Sequence, residues 1–259
     1  MREFARTLTL VAGNTVRELV RNKLLYNLLV FAVLLIASSM FVAQLTIGQW
    51  DRIILDMGLA AVEISGVLVA ALIGVGLVAG EIDRRTIFPT LAKPVARGSF
   101  LLGRYLGLVS MLAVTVVIMF AVLAVVLRLA DYSVSATAAA AALLIFIELA
   151  MVAAAAMFFS SFTTPLLASA FSLCVFLIGH LLTDLRLFRE RSQNPVARAI
   201  TGTIYRLLPN LELFNLKSQA ANELPVPAGF VSTAALYGCA YAAAVLFLAV
   251  AIFNRRDLK

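Results

Sequence analysis

The chain has 259 residues, of which 63% are apolar and only 14% are charged, and its mean hydropathy is +1.01. Soluble domains carry about 25% charged residues, so this composition excludes a water-soluble fold. The formal charge of +7 does not indicate a nucleic-acid partner, because Lys and Arg lie beside apolar segments, where anionic lipid head groups account for them. No cleavable signal peptide is expected, since the N-terminal segment lacks a continuous apolar core and leads into a full-length span.

The segment before the first long apolar stretch, residues 1–24, has the pattern of an amphipathic helix with a period of about 3.6 residues. Its apolar face consists of Phe4, Leu8, Val11, Ala12, Thr15, Val16 and Leu19, and its polar face of Arg6, Asn14, Arg17 and Arg21. The pattern predicts an interfacial helix. It either anchors the chain on the membrane surface through lipid phosphates or also borders a cytoplasmic partner, and the two roles are compatible.

Six apolar stretches are long enough to cross the hydrocarbon core, which takes about 20 residues. They are residues 25–43, 58–79, 105–127, 136–159, 166–183 and 230–253. In lipid each has to be a helix, because backbone polar groups find no water there. The sequence therefore predicts an all-α, polytopic membrane protein with six transmembrane helices, and the even number of spans puts both termini on one side.

The distribution of Lys and Arg predicts which side holds the termini. Lys and Arg residues are concentrated in three places. These are the segment before the first span (Arg2, Arg6, Arg17, Arg21, Lys23), the loop 80–104 (Arg84, Arg85, Lys93, Arg97, Arg104) and the tail 254–259 (Arg255, Arg256, Lys259). The cations of the long segment 184–229 count for little, because long loops cross the membrane largely regardless of charge. Both termini are therefore expected in the cytoplasm.

The loop 80–104 is the most distinctive part of the sequence outside the spans. Its charged start ends the second span at the water boundary, and residues 86–92 are predicted to form a short helix with apolar side chains exposed. Such side chains on a short cytoplasmic loop need a partner surface, which is either the helix ends of this chain or another protein. The residues concerned are Glu81, Ile82, Asp83, Arg84, Arg85, Thr86, Ile87, Phe88 and Leu91.

Two acidic residues lie inside the predicted spans, where a charged group is costly and normally implies function or a partner. Glu148 is near mid-membrane, and Glu63 is nearer the outer end of its span. Each is interpreted either as a structural hydrogen bond or partner-subunit contact, or as part of a substrate gate. His180 is the only histidine, so neither haem ligation by two histidines nor a metal cluster is expected. It is interpreted as a side chain at the outer boundary.

The segment 184–229 is too short and too interrupted by proline for a separate external domain. Asn194 and Pro195 have the pattern of a helix N-cap and first-turn proline, and an apolar face follows at Val196, Ile200 and Ile204. This second amphipathic helix is expected to lie flat on the outer leaflet or to dip into it. No nucleotide-binding loop of the Gly-x-x-x-x-Gly-Lys-Ser/Thr type occurs in the chain, so no enzymatic activity is expected of it.

Three motifs resemble those of type-2 ABC transporter permeases. In the loop between spans two and three, that family commonly shows Glu, a Gly-Thr or similar pair, Pro-Val-Ser-Arg and Leu-Leu-Gly-Lys. The chain has Glu81, Arg85-Thr86, Pro94-Val95-Ala96-Arg97 and Leu101-Leu102-Gly103-Arg104 at these places, and residues 159–168 and 208–215 supply the other two motifs. The last two are similar to the subgroup containing the permease of the nitrous-oxide-reductase maturation transporter.

The resemblance implies a permease subunit in the bacterial cytoplasmic membrane, with ATP and Mg²⁺ bound on separate cytoplasmic ATP-binding-cassette ATPase subunits and no cofactor in this chain. Two permease copies, or this chain and a sister permease, would pair with two ATPases, in contact with membrane lipids and with a periplasmic accessory protein in some systems. Residues 82–91 would be the coupling element, bordered by the N-terminal helix. Transport by alternating access is expected, with export favoured over uptake.

Two other functional classes are compatible with parts of this pattern. A non-transporting membrane scaffold that recruits a cytoplasmic or periplasmic assembly would show the same spans and the same exposed loop. A cofactor-holding electron-transfer subunit would need haem or quinone sites, and the single histidine argues against it. Coupling to an ATPase distinguishes the permease from the scaffold.

Overall fold

The computed structural model of the chain describes residues 2–45, 50–83, 97–191 and 194–255, and every regular element in these ranges is helical. The elements are α1 (Arg2–Val20), α2 (Lys23–Gln44), α3 (Trp50–Leu68), a π-helical turn (Val69–Ile73), α4 (Gly74–Asp83), α5 (Arg97–Leu129), α6 (Ala136–Ser160), α7 (Pro165–His180), α8 (Leu182–Arg191), α9 (Pro195–Leu207), a 3₁₀ turn (Leu211–Phe214), α10 (Lys217–Ala221) and α11 (Phe230–Arg255). The all-α fold class is confirmed.

Five helical stretches in the described ranges are long and apolar enough to cross a membrane: Lys23–Gln44, Trp50–Val78, Gly98–Leu129, Ala136–Ser160 and Phe230–Arg255. A sixth is obtained if α7 and α8, which meet at a bend of 58°, form one broken span. The second span begins at Trp50, eight residues or about two turns before its predicted start. Asp51 and Arg52 lie in its first turn, so the helix extends beyond the apolar stretch that predicted it.

Helix α6 forms the centre of the bundle. It contacts α3, α5, α7 and α11, and alanine supplies many of its buried positions, which allows neighbouring helices to approach closely. Gly66 of α3 lies directly against Leu149 of α6, where a Cβ atom would come within 2.4 Å of the leucine side chain. Helices α2 and α11 are mostly exposed along their apolar lengths and form the surface that lipid or another subunit would cover.

The two ends of the bundle differ in what they contain. Gly98 in the first turn of α5 lies against Val250 near the end of α11, so α1, the start of α5 and the end of α11 share one end, here called the terminal end. At the opposite end, the loop between α5 and α6 meets the start of α3. There a hydrogen bond between the Tyr132 hydroxyl and the Asp51 carboxylate raises the pKa of Tyr132.

Helix α7 has only 16 residues and is therefore about 24 Å long, shorter than the hydrocarbon core. The segment that follows it fills the space that a full-length helix would occupy. Leu211 and Phe214 of the 3₁₀ turn are fully buried, against Gly179 of α7 and Gly238 of α11, and α10 packs on α3 and α6. The segment 184–229 was predicted to be an external segment without a separate folded domain, and its middle part packs against the helices of the bundle.

The second amphipathic helix is present as α9. Asn194 occupies its N-cap position, with the side-chain oxygen accepting a hydrogen bond of 2.9 Å from the backbone N–H of Val196, and Pro195 lies in the first turn. Val196 and Ile200 are exposed. A membrane position for this exposed apolar face stays a prediction.

Candidate functional site

Four charged or titratable side chains converge inside the bundle, each from a different element. They are Glu63 of α3, Glu148 of α6, His180 of α7 and Lys217 of α10, and together they are called the buried cluster below. Helix lengths place Glu63 and Glu148 about 18–20 Å from the starts of α3 and α6, close to the middle of α6. The buried cluster therefore lies deep in the membrane-spanning part of the fold.

The cluster contains one ion pair. The Lys217 ammonium group donates a hydrogen bond to Oε2 of Glu63. The Glu63 side chain is 4% exposed and that of Lys217 is 18% exposed. A buried carboxylate of this kind needs a cation beside it, and Lys217 supplies that cation from a segment that is distant in sequence.

Histidine 180 lies between the two carboxylates. Its Nε2 atom is 3.1 Å from Oε1 of Glu63 and 3.6 Å from Oε1 of Glu148. The other ring nitrogen, Nδ1, is 3.3 Å from the backbone carbonyl oxygen of Phe176. His180 was interpreted as an outer-boundary side chain; the structure instead places its ring, at the end of α7, beside Glu148 in the middle of α6.

Glu148 is 1% exposed, and neither of its carboxylate oxygens has a hydrogen-bond partner among the described residues. Leaving a buried polar group without a partner costs about 1–3 kcal/mol, and more for a charged group. The expectation that a hydrogen bond within this chain holds Glu148 therefore finds no support in the described part of the fold. A partner subunit or a bound ligand could supply the hydrogen bond or the charge that Glu148 lacks.

Glu63 was expected nearer the outer end of its span than Glu148. The early start of α3 at Trp50 shifts Glu63 inward, so the two carboxyl groups lie side by side. Lys217 carried no functional expectation. One signal in the sequence could have pointed to it: two acidic residues within apolar spans require compensating cations. Lys217 is one of eight Lys and Arg residues outside the predicted cytoplasmic parts of the chain.

A second feature lies at the terminal end, where α1 is docked along the first half of α5. Gly103 and Gly107 of α5 face α1 so closely that a Cβ atom on Gly107 would lie 2.5 Å from Cβ of Thr15 and 2.8 Å from the carbonyl oxygen of Ala12. The buried residues of α1 belong to the face predicted from its periodicity. This face covers α5, which shows that it has a protein partner within the same chain.

Arg104 fixes this contact electrostatically. Its guanidinium group pairs with the Glu18 carboxylate, lies 3.5 Å from the Thr15 hydroxyl and stacks 5.4 Å above the centre of the Phe100 ring. The residue is only 8% exposed, whereas Glu18 is largely exposed. Stacking and pairing of one planar cation suit Arg better than Lys, and Arg104 is the position where the related motif commonly has Lys.

Most of the predicted coupling residues fall outside the described residues. The backbone at Glu81, Ile82 and Asp83 forms the last turn of α4, while Arg84, Arg85, Thr86, Ile87, Phe88 and Leu91 lie in the range 84–96, which the structure does not describe. The last turn of α4 and the first turn of α5, which flank this range, both lie at the terminal end.

The donor atoms of Glu63, Glu148 and His180 all lie within 4.8 Å of one another. Two carboxylates and one imidazole form a donor set that can hold a divalent metal ion. A metal cluster was not expected from the sequence, because His180 is the only histidine.

The helical bundle and its long apolar helices define a polytopic helical membrane protein. A family model described as "ABC-2 family transporter protein" matches residues 10–258. The chain therefore belongs to the ABC-2 transporter family, whose members are membrane components of transporters that associate with ATP-binding-cassette ATPase subunits. No curated protein matches the chain significantly.

Proposed function

We propose that the chain is the permease subunit of an ATP-binding-cassette exporter in a bacterial cytoplasmic membrane. Two copies, or one copy with a sister permease, form the pathway, and separate cytoplasmic ATPase subunits bind ATP and Mg²⁺ and drive alternating access. The observation that carries this proposal is the match of the ABC-2 family along nearly the whole chain, residues 10–258. The terminal end is the cytoplasmic end in this proposal, in agreement with the distribution of Lys and Arg.

The packing at the terminal end supports a route for force from the ATPase into the bundle. The loop 84–96 connects α4 with α5, and α5 is held on one side by α1 and on another by α11. Displacement of the loop would therefore move α5 and α1 together, because the Arg104–Glu18 pair and the close approach at Gly107 join them. Residues 81–88 and Leu91 are the proposed coupling element.

The packing at the opposite end supports a gate. The buried segment around Phe214 and Lys217 fills the part of the bundle beyond the end of α7. An outward-open state requires this segment to separate from α3 and α6, which breaks the contact between Lys217 and Glu63. Opening is then a two-state change of packed elements rather than a continuous widening.

The finer assignment to the subgroup of the nitrous-oxide-reductase maturation permease rests on residues 159–168 and 208–215. In that subgroup the cargo would be a sulfur or metal species. A lipid-like cargo that enters sideways is the alternative within the exporter class, since the exposed surfaces of the spans α2 and α11 are apolar along most of their length.

The decisive experiment is ATP hydrolysis by the chain assembled with its cognate ATPase in lipid nanodiscs. Charge reversal in the coupling element (R84E together with R85E) is expected to lower the permease-dependent part of hydrolysis at least fivefold. The matched control reverses two cations at the opposite end (R189E together with R191E) and is expected to leave hydrolysis within twofold. If hydrolysis is independent of the permease and of both double variants, the chain is a scaffold rather than a transporter subunit.

A further inference from the structure

Three atoms of the buried cluster that can accept hydrogen bonds face one another: Nε2 of His180, Oε1 of Glu63 and Oε1 of Glu148. Nδ1 of His180 lies near the carbonyl oxygen of Phe176, which can only accept a hydrogen bond, so this contact favours a proton on Nδ1. In that tautomer Nε2 presents a lone pair. It points toward the two carboxylates at 3.1 and 3.6 Å, and it forms no hydrogen bond in the described structure.

A single added proton satisfies this arrangement only in part. A proton on Nε2 can be donated to Glu63, but both oxygens of Glu148 then remain without a donor. A proton on Glu148 instead leaves two acceptors, Nε2 and Oε1 of Glu63, facing each other. Complete satisfaction takes two protons, one on His180 and one on Glu148. One divalent cation brings the same charge and contacts all three atoms at once.

We propose that Glu63, Glu148 and His180 form a binding site for a divalent transition-metal ion of the Zn²⁺ or Mn²⁺ type. Metal–ligand bonds of about 2.0–2.2 Å imply separations of about 3.0–3.6 Å between neighbouring ligand atoms. The distances of 3.1 and 3.6 Å lie in this range, and the third ligand pair is within 4.8 Å. Glu148 independently indicates a ligand, because its carboxylate is buried, faces the cluster and has no hydrogen-bond partner among the described residues.

Two of the three ligands have the outer contacts that orient metal ligands in proteins. The Phe176 carbonyl group holds the His180 ring with Nε2 inward. Lys217 binds Oε2 of Glu63 and leaves Oε1 free for the ion. With three protein ligands the ion keeps a fourth position for water or for a passenger group.

A bound ion would join α3, α6 and α7 in the middle of the membrane. Through Glu63 and Lys217 it would also hold α10, and with it the segment that closes the opposite end. Metal binding does not depend on the proposed transport function, because it requires only the three ligand side chains. If the chain is an exporter, the ion stabilises its closed state.

The test measures metal on the full chain in nanodiscs, purified through a tag without histidine, stripped with chelator, and titrated with Zn²⁺. Wild type is expected to retain about one ion per chain, and E148Q and H180N to lose at least 90% of it. E212Q is the matched control, because Glu212 contacts Asn215 and belongs to no ligand pair. Cobalt(II) gives a second readout, a visible d–d absorption band in wild type and E212Q that E148Q lacks.

The proposal is overturned by two results. Folded wild type that takes up no metal and shows an infrared band of a protonated carboxyl group, absent in E148Q, would assign the cluster to protons. Equal metal content in wild type, E148Q and H180N would assign the ion to adventitious sites on the surface. Neither result bears on the ATPase experiment, which tests the transporter assignment alone.

Discussion

Lys217 of α10 pairs with Glu63 of α3, although the two residues are 154 positions apart in the sequence. The contact joins the segment between α9 and α11 to the core of the bundle at about half its depth. It is a long-range contact between oppositely charged groups in an apolar region, so its removal has a large and specific effect.

The first prediction concerns this pair in chelator-treated protein. K217M leaves the Glu63 carboxylate buried without its cation and is expected to lower the free energy of unfolding by about 3 kcal/mol, because one partner of a buried pair has been removed. The double variant K217M together with E63Q removes the charge on both sides and is expected to regain at least half of that loss. Thermal unfolding in nanodiscs, followed by intrinsic fluorescence, measures both.

The matched control is K23M, which replaces a Lys of the first turn of α2 that has no described ion pair, and it is expected to change stability by less than about 0.5 kcal/mol. Equal destabilisation by K217M and by the double variant would show that the ion pair contributes nothing and that the Lys217 side chain acts through packing alone.

The second prediction concerns the docking of α1. G107A places a Cβ atom 2.5 Å from Thr15 and 2.8 Å from a backbone oxygen of Ala12, which neither side can relieve without moving the helix. Overpacking of this kind costs about 1–3 kcal/mol, so α1 is expected to separate from α5. Limited proteolysis within α1 should become at least fivefold faster.

Gly13 supplies the control for this substitution, since no atom lies within 4 Å of the position of its missing Cβ. G13A is expected to slow proteolysis or leave it unchanged, because Ala favours the helix by up to about 1 kcal/mol over Gly. Faster cleavage in both variants would mean that α1 is sensitive to any substitution rather than to the close approach at Gly107.

The third prediction separates the contributions to the Arg104 contact. R104Q removes the pair with Glu18, the contact with Thr15 and the stacking on Phe100, and it is expected to raise amide hydrogen exchange in α1 about tenfold, which corresponds to about 1.4 kcal/mol. E18Q removes only the partly exposed pair and is expected to raise exchange less than threefold.

Hydrogen exchange read by mass spectrometry resolves α1 from the remaining helices in these variants. R17Q, on the exposed face of α1, serves as the control and should leave exchange unchanged. An effect of E18Q as large as that of R104Q would show that the charge pair, and not the buried packing of the guanidinium group, holds the helix.

The spans could be predicted from the sequence because apolar length alone specifies a transmembrane helix. Stretches such as 136–159 coincide with α6 to within one residue at their C-terminal end. The apolar face of α1 was likewise visible from periodicity, since Leu8, Val11 and Leu19 follow the helical repeat. Each of these inferences needs only local sequence.

The buried cluster depends on information that is not local. His180, the last residue of α7, lies beside Glu148 because α7 packs along α6. Lys217 reaches Glu63 because Leu211 and Phe214 draw their segment inward against Gly179 and Gly238. No proline or Lys, Arg, Asp or Glu residue marks the C-terminal end of α7 at His180. The apolar composition therefore predicted a longer span, to residue 183, followed by an external segment.

The fourth prediction concerns orientation and uses single cysteines in a chain whose two exposed cysteines, Cys174 and Cys239, have been replaced by Ala. S133C, in the loop between α5 and α6, is expected to react with a membrane-impermeant maleimide in intact cells, because the opposite end faces outward. R17C, on the exposed face of α1, should react only after the membrane is permeabilised. Reversed labelling would place the termini outside and would remove the terminal end as a docking surface for a cytoplasmic ATPase, whereas labelling of both positions only after permeabilisation would contradict the passage of α5 through the membrane.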